Sequence, residues 1–234
     1  MANDVASLDL YARIEAMLHN EEAVDNLYGL YYRILNTTSF TSLLDIGCGG
    51  GAFLQGLLQR FGDIDVLGVD LSGEMVRRTQ ARGIRAKAMD VCDLTETFDV
   101  ATAVFDMFNY LPSDALTSFF ACVEARLNPG GTFIFDINTR FGFEHVATGA
   151  YIVDEAERFL AVDSDFEHDK YMADFTLFTQ QNGCYTRESQ RITQYYHPLK
   201  RIKKTTSMQL INAIDIELYG LGEADKTLLI FQKK

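Results

Sequence analysis

The chain has 234 residues, 47% of them hydrophobic, and a formal net charge of −12 at pH 7. This length suits one large domain, or one domain with an insertion. The acidic balance disfavours a nucleic-acid partner, because a phosphate backbone repels negative charge. No apolar run approaches the roughly 20 residues that cross a bilayer, and the N-terminus lacks a signal-peptide pattern, so we expect a cytoplasmic protein with no membrane partner.

Cysteine and histidine spacing gives no indication of a metal site. The four cysteines stand far apart, with no Cys-x-x-Cys pair and no histidine at metal-ligand spacing; they are Cys48, Cys92, Cys122 and Cys184. The pattern therefore indicates neither zinc nor a disulfide framework. We expect reduced thiols in the core or in loops, and no bound metal.

Apolar residues recur at helical spacing through about the first 35 residues, which predicts two helices. Strand and helix patterns then alternate, with strands predicted at 42–46, 65–70, 84–89, 99–105 and 132–138. The predicted helices are 52–61, one that opens at Ser72 and one with Ser113 as its N-cap, and NPGG at 128–131 is predicted as a turn. Strands separated by helices form right-handed crossovers, so we predict a doubly wound α/β fold around a mostly parallel sheet.

The pattern changes after Thr139. Residues 157–196 alternate apolar and polar positions and predict about three antiparallel strands, interrupted at His168-Asp169 and at Gln181-Asn182-Gly183, where Asn-Gly is a strong hairpin signal. Pro198 fits the first turn of a short helix, and two final strands close the chain. With these two the sheet would have seven strands, and the antiparallel segment would be an insertion.

The segment LLDIGCGGG at 43–51 places four glycines directly after the first predicted strand. In a parallel sheet, ligands bind outside the carboxyl ends of the strands, where the chain order reverses. Glycine there permits a positive φ and close approach of a ligand to the backbone, and the following helix offers free N–H groups. Asp45 and Asp70 accompany these glycines, so the pattern favours a nucleotide-type ligand over a bare turn.

Three acidic residues help to distinguish the cofactor. Asp70, at the end of the second predicted strand, can accept hydrogen bonds from the ribose of NAD or of S-adenosylmethionine. Asp45 favours S-adenosylmethionine, because a carboxylate beside a pyrophosphate is costly whereas an ammonium and a sulfonium tolerate it. Asp90 follows the third predicted strand and is placed to meet an adenine edge.

Taken in order, the motifs resemble those of class I S-adenosylmethionine-dependent methyltransferases. They are D-x-G-x-G-x-G at 45–51, GVDLS at 68–72, MDV at 89–91, FDVATAVFDMFNYL at 98–111 and LNPGG at 127–131. The resemblance covers nearly the whole predicted sheet. FDMFNYL and FIFDINT are further similar to a bacterial subgroup of small-molecule methyltransferases that carries an antiparallel lid, and LYARI falls where that subgroup has a tyrosine near the cofactor.

The resemblance implies a set of cofactor contacts. The glycines would hold the methionyl part, Asp70 would bind the ribose, and Phe105 with Asp106 would form the floor beneath the sulfur. The implied cofactor-binding residues are Tyr11, Asp45, Gly47, Cys48, Gly49, Gly51, Asp70, Leu71, Met75, Asp90, Val91, Phe105 and Asp106.

The resemblance also implies a division of the chain. Residues 1–141 and 197–234 would form a Rossmann-like domain that binds S-adenosylmethionine, and residues 142–196 an inserted antiparallel β lid over the acceptor. The alternative is a structural hairpin, or one through which the chain forms a homodimer. In the lid the subgroup often has a His and an Arg shortly before a Tyr, whereas this chain reads RITQYY at 191–196, so no acceptor contact is carried over.

The expected activity is N- or O-methylation of a small-molecule acceptor. A sulfonium donor is already activated, so the protein mainly supplies orientation and a dry site, and a general base is optional. The candidates for a base are Asp106, Tyr110, His145 and His197. The alternatives are a NAD-type oxidoreductase, which Asp45 disfavours, and a non-catalytic α/β binding module.

Overall fold

The computed structural model describes residues 5–18 and 21–234. Two helices come first, α1 (Val5–Ile14) and α2 (Glu21–Leu35), and a 3₁₀ turn at Glu15–Leu18 follows α1. Both predicted N-terminal helices are confirmed. Within the described ranges, no helix combines the length and the apolar character needed to span a bilayer.

The remaining elements follow in chain order. The helices are α3 (Ala52–Phe61), α4 (Gly73–Ala81), α5 (Leu116–Ala125) and α6 (Leu199–Ile202). Short 3₁₀ turns lie at Val91–Asp93 and Met107–Tyr110, and a π-helical turn at Gly142–Ala147. The strands are β1 (Ser42–Ile46), β2 (Asp65–Asp70), β3 (Ala86–Ala88), β4 (Phe98–Ala103), β5 (Leu127–Asn138), β6 (Gly149–Asp154), β7 (Arg158–Glu167), β8 (Lys170–Gln181), β9 (Cys184–Tyr195), β10 (Gln209–Ile216) and β11 (Lys226–Gln232).

Seven strands form the main sheet, in the order β10-β11-β5-β4-β1-β2-β3. The pairs from β5 to β3 are parallel, while β11 is antiparallel to both β5 and β10. The predicted doubly wound, mostly parallel, seven-stranded sheet is confirmed. The chain order reverses between β1 and β4, so their carboxyl ends border the position where such sheets bind ligands.

The core lies on both faces of this sheet. Successive strand residues point to opposite faces, so Leu44 of β1 packs in one cluster with α5, and its neighbour Leu43 packs in the other with α2 and α3. Burial on both faces explains the near-continuous apolar runs in the central strands.

Strands β6 to β9 form a separate antiparallel sheet, called the second sheet below. The hairpin turns fall at the predicted interruptions, at His168-Asp169 and Asn182-Gly183, and all four residues have positive φ. The three strands predicted in 157–196 are β7, β8 and β9, whereas β6 was not predicted, because its mostly exposed residues lack a buried face.

Two local predictions are wrong. Helix α5 begins at Leu116 with Ala115 at the N-cap, and the Ser113 hydroxyl instead accepts a hydrogen bond from Arg201 Nη1 at 2.8 Å. Residues 128–131 lie within β5 rather than in a separate turn, and Gly130, with φ of +75°, accompanies a register shift against β4. A bulge thus takes the place of the turn.

The expectation of four reduced cysteines is wrong for two of them. Cys92 and Cys122 form a disulfide with their Cα atoms 4.9 Å apart, while Cys48 and Cys184 are free. Cys92 lies in the 3₁₀ turn that packs against α5, and Cys122 lies on that helix. The pairing depends on this tertiary contact between residues 30 positions apart, so cysteine spacing alone could not predict it.

Candidate functional site

A cavity of about 980 Å³ lies at the carboxyl ends of the main-sheet strands, between α1, α2 and the second sheet. It is lined by every predicted cofactor-binding residue except Gly51: Tyr11, Asp45, Gly47, Cys48, Gly49, Asp70, Leu71, Met75, Asp90, Val91, Phe105 and Asp106. At Gly51 a Cβ atom would stand 2.8 Å from Thr79 Oγ1, so that glycine allows α3 and α4 to pack closely.

The loop after β1 leaves space above Gly49. Its φ is +52°, and a Cβ atom placed there would meet no other atom within 4 Å. Because Gly49 lines the cavity, an added side chain would project into open space rather than into the protein. A ligand can therefore approach this part of the backbone closely.

The carboxylate of Asp70 fixes this loop to the end of β2. Its Oδ2 accepts the N–H of Gly49 at 2.9 Å, and its Oδ1 accepts the N–H of Ser72 at 2.8 Å. Burial raises the pKa of Asp70, and these backbone hydrogen bonds act in the opposite direction. Each carboxylate oxygen can accept a second hydrogen bond, so ligand hydroxyls can bind while both backbone bonds persist.

Asp45 is 2% exposed and lines the same cavity. Its Oδ1 accepts a hydrogen bond from the hydroxyl of Thr102 at 2.7 Å. Burial raises its pKa to about 7, although the Thr102 bond acts to lower it. A buried carboxylate with so few donors is stabilised by any cation that enters the cavity beside it.

The floor of the cavity has an unusual backbone. Phe105 and Asp106 have φ of +61° and +53°, a region that costs non-glycine residues on the order of 1–3 kcal/mol each. Their N–H groups donate to Oδ1 and Oδ2 of Asp136 at 2.7 and 2.8 Å, and the Tyr31 hydroxyl also donates to Oδ1, at 2.8 Å. The fully buried Asp136 thus holds the strained turn in place.

Lys226 balances the charge of this floor. Its Nζ lies 2.7 Å from Asp106 Oδ1, 3.2 Å from Asp136 Oδ2 and 2.8 Å from Asn138 Oδ1. Desolvation lowers the pKa of Lys226, but the two carboxylates outweigh it and raise the pKa above its ordinary value, so the lysine stays charged. Gln194 Nε2 of the second sheet donates to Asp106 Oδ2 at 2.5 Å. Both oxygens of Asp106 are therefore engaged.

Three residues of this floor, Asp136, Lys226 and Gln194, were not predicted from the sequence. A weak signal existed for Asp136, because FIFDIN places a carboxylate in the middle of an apolar, buried strand, where it needs a partner. Lys226 and Gln194 reach the site from β11 and β9, about 90 or more residues after Asp106 in the chain. No local pattern marks such contacts.

The second sheet and α1 also line the cavity. Tyr151, Val162, Tyr171 and Phe175 of this sheet line the cavity, and Tyr11 of α1 packs edge-on against Phe175 with ring centroids 6.1 Å apart. Aromatic side chains from outside the main sheet thus share the cavity with the glycine loop.

The four candidate bases differ in position. Tyr110 and Asp106 line the cavity, and burial raises the pKa of Tyr110, so its hydroxyl stays protonated. His145 is exposed and packs against Phe141 with the two rings tilted by 47°, outside the cavity lining. His197 is buried outside the lining with Nε2 2.9 Å from the carbonyl of Leu111, which requires a proton on Nε2, and burial lowers its pKa.

The cavity lining is strongly acidic. It contains eight carboxylates and two basic side chains. The carboxylates are those of Glu15, Glu21, Asp25, Asp45, Asp70, Asp90, Asp106 and Asp225, and the basic side chains are those of Arg82 and Lys226. Asp225 is 1% exposed, and its Oδ1 has no hydrogen-bond partner among the described residues. Within residues 5–18 and 21–234, no cluster of His, Cys, Asp or Glu could hold a metal ion.

Comparisons with known proteins agree with this fold. Residues 43–131 match the family model of a methyltransferase domain. The curated protein "Putative methyltransferase Rv1506c" of Mycobacterium tuberculosis (strain ATCC 25618 / H37Rv) is 38% identical over 80 residues, which are 32% of this chain and 48% of that protein. The match thus spans about half the length of this relative.

Solved structures resemble the whole chain. An S-adenosylmethionine-dependent methyltransferase from Clostridium acetobutylicum has a TM-score of 0.74 at 23% identity, with 97% of each chain covered. The sugar N-methyltransferase KedS8 from Streptoalloteichus has a TM-score of 0.73 at 17% identity, covering 100% of this chain and 94% of that one. CalS10, an amino pentose methyltransferase from Micromonospora echinaspora, has a TM-score of 0.67 at 22% identity, covering 100% and 98%.

Residues 43–131 are therefore similar to a methyltransferase domain, and the chain shares the fold of these methyltransferase structures. The fold that the motif order implies is confirmed, and the family-model match agrees with it.

Proposed function

We propose that the protein is an S-adenosylmethionine-dependent methyltransferase that acts on a small-molecule acceptor. The observation that carries the proposal is the cavity at the glycine loop, where Gly49 leaves backbone open and Asp70 ends β2. The methyltransferase domain match over these same elements supports it.

The cavity fits S-adenosylmethionine by two independent features. The open space above Gly49 admits a ligand against the backbone, and the buried Asp45, with its raised pKa, suits a ligand with an ammonium group. In this proposal Asp45 compensates that ammonium, Asp70 accepts the ribose hydroxyls, and Asp90 with Val91 borders the adenine. When bound, S-adenosylmethionine supplies a methyl group already activated by a sulfonium.

The protein's own contribution is orientation and exclusion of water. We propose that residues 142–196 act as a lid, because Tyr171, Phe175 and Gln194 of the second sheet line the same cavity as the glycine loop. The remaining domain would be residues 1–141 and 197–234. A closed, apolar wall strengthens the electrostatic interactions inside the site and positions the acceptor.

An amine is the acceptor that the cavity suits best, so N-methylation is the preferred reaction. Even with Asp45, Asp70 and Asp90 assigned to the cofactor and Asp106 paired with Lys226, the carboxylates of the lining outnumber its basic side chains, so the cavity favours an ammonium acceptor over an anionic one. KedS8, similar in structure, is described as a sugar N-methyltransferase. A cytoplasmic location and a homodimer remain predictions.

A thermal-shift panel tests the cofactor. S-adenosylmethionine and S-adenosylhomocysteine should raise the unfolding midpoint of the full chain, because a ligand that binds the native state stabilises it, whereas NAD should not. A shift with NAD alone would point to the oxidoreductase alternative. If none of the three ligands shifted the midpoint, the result would favour the alternative of a non-catalytic binding module with no nucleotide ligand.

Transfer of a labelled methyl group tests the acceptor class. The matched probes are glucosamine and glucose, which differ by an amine in place of a hydroxyl, each supplied with methyl-labelled S-adenosylmethionine. Label should enter the amine in preference to the neutral sugar, and among cell metabolites it should enter the cation-exchange fraction. Label found only in anionic metabolites would contradict the inference from cavity charge.

A further inference from the structure

The disulfide between Cys92 and Cys122 lies directly beside the proposed adenine site. Asp90 and Val91 line the cavity, and Cys92 is the next residue in the chain. The carboxylate of Asp90 caps the 3₁₀ turn, with Oδ1 accepting the N–H of Cys92 at 2.8 Å. The position of Asp90 in the cavity lining is therefore linked to that of Cys92 by this hydrogen bond and by the two peptide units between them.

Helix α5 is the other anchor of this disulfide. Cys122 is half-buried on α5, and Phe119 of the same helix lines the cavity one turn away. A second contact joins the two elements, because Arg126 Nη1 donates to the carbonyl of Leu94. The 3₁₀ turn would therefore stay close to α5 after the disulfide opens, but with one covalent restraint fewer.

We propose that Cys92–Cys122 is a redox-modification site that controls the affinity for the cofactor, an inference that rests on the proposed function. The oxidised form holds Asp90 and Val91 in the position seen here, so cofactor binding has a smaller entropic cost of ordering these residues. The reduced form frees the turn between Asp90 and Leu94 and weakens binding. The co-reactant is a dithiol reductant.

The chemistry is a thiol–disulfide exchange. Cys92 is exposed, so a thiolate of the reductant attacks its Sγ, the Sγ–Sγ bond breaks, and Cys122 leaves as a thiolate that takes up a proton. The second thiol of the reductant then closes a disulfide within the reductant and releases Cys92 as a thiol. Two electrons pass to the protein, and the reductant is oxidised.

Calorimetric titration of the full chain with S-adenosylhomocysteine tests the proposal. The dissociation constant should rise about fivefold or more on reduction with dithiothreitol, the lower end of ordinary coupling between sites. Thiol counting in denaturant should show two free thiols before reduction and four after it. The double variant Cys92→Ser/Cys122→Ser should bind like the reduced protein and should not respond to dithiothreitol.

Cys184→Ser is the matched control, because Cys184 is exposed and free at the start of β9, far from the adenine site in the chain. This variant should keep the full response to dithiothreitol. Equal affinity in the two redox states would overturn the proposal while leaving the function intact. Failure to bind in both states would instead contradict the proposed function.

A second measurement needs no variant. Because coupling is reciprocal, saturating S-adenosylhomocysteine should make the disulfide harder to reduce by the same factor. A fivefold effect lowers the midpoint potential by about 21 mV, at roughly 30 mV per tenfold for two electrons. An unchanged midpoint in a buffer of reduced and oxidised dithiothreitol would contradict the coupling.

Discussion

Lys226 Nζ lies 2.7 Å from Asp106 Oδ1, with 2% of the lysine side chain and 14% of the aspartate side chain exposed. The pair joins the last strand of the main sheet to the strained turn after β4, and the fully buried Asp136 lies 3.2 Å from the same ammonium. The ammonium of Lys226 thus forms ion pairs with both Asp106 and Asp136, and it stabilises the floor of the cavity.

Replacement of Lys226 by Met should destabilise the protein by about 3–5 kcal/mol at pH 8, because it leaves buried carboxylates without their counter-charge. Burial already raises the pKa of Asp106, so in the variant this carboxyl protonates more readily, and the deficit should narrow as the pH falls. Urea denaturation at pH 8 and pH 6 measures both effects. Lys87→Met is the control: its exposed pair with Glu96 should contribute less than about 1 kcal/mol, and equal losses would contradict the special role of Lys226.

The pH dependence of cofactor binding should follow Asp45. Its pKa of about 7 in the ligand-free protein means that half of the carboxyl is protonated near neutrality, while an ammonium ligand binds the ionised form. Affinity for S-adenosylhomocysteine should therefore fall as the pH drops below 7, by up to about tenfold per pH unit. Asp45→Asn should flatten this profile and Asp114→Asn, an exposed carboxylate outside the cavity, should not. A flat wild-type profile between pH 8 and pH 5.5 would exclude Asp45 from the ammonium site.

Ionisation of Asp45 should strengthen cofactor binding but should lower the stability of the ligand-free protein. The folded pKa of Asp45 lies above the ordinary value of 3.8, so the protonated form favours folding, and this stabilisation is lost as the pH rises toward 7. Asp45→Asn should therefore raise the free energy of unfolding at pH 8 by at most about 4 kcal/mol, at roughly 1.4 kcal/mol per pKa unit. Thermal unfolding without ligand checks the sign. A destabilised variant would show that the carboxylate makes contacts that outweigh its desolvation.

Asp70→Ala should weaken S-adenosylmethionine binding by about 1.5–3 kcal/mol, the range for hydrogen bonds to a charged acceptor. The change also frees the N–H groups of Gly49 and Ser72, which Asp70 now fixes. Calorimetry measures the loss, and Asp65→Ala, at the other end of the same strand, is the matched control. Equal affinity of the Asp70 variant and the wild type would remove Asp70 from the site.

Gly49→Val should abolish cofactor binding while leaving a folded protein. The new side chain enters the open space above the loop, and the φ of +52° adds strain. Gly83→Val separates these two effects, because Gly83 has φ of +78°, meets nothing within 4 Å and lies outside the cavity lining. Both variants should lose similar stability, but only the Gly49 variant should fail to bind S-adenosylhomocysteine. Normal binding by the Gly49 variant would show that this loop is only a turn and does not contact the cofactor.

Local patterns were sufficient to predict the sheet and the proposed cofactor loops. The apolar runs at 42–46 and 65–70 became β1 and β2 with the predicted bounds, because strands buried on both faces have a distinctive composition. Ser72 was predicted to open α4, and its hydroxyl does accept the N–H of Met75. Each of these features involves residues close together in the chain.

The features that could not be predicted are tertiary. Lys226 pairs with Asp106 across 120 residues, and Cys92 with Cys122 across 30, so neither contact leaves a pattern in a short window. Ser113 was assigned to an N-cap on residue type alone, although the helix starts at Leu116 and the hydroxyl meets Arg201 instead. The residue type of Ser113 predicted a hydrogen-bonding role for its hydroxyl, and the tertiary fold determined that its partner is Arg201.

The late position of Lys226 in the chain has a consequence for how the protein is made. Asp136 leaves the ribosome about 90 residues before its cation does, which is roughly 5–20 s at ordinary elongation rates. During that interval the Phe105–Asp106 turn has its carboxylates but lacks the ammonium and the strand β11 that completes the sheet beside β5. The floor of the cavity therefore cannot reach its final form until β11 has left the ribosome, and nascent chains that stop short of β11 should be recognised by proteases or chaperones as unfinished.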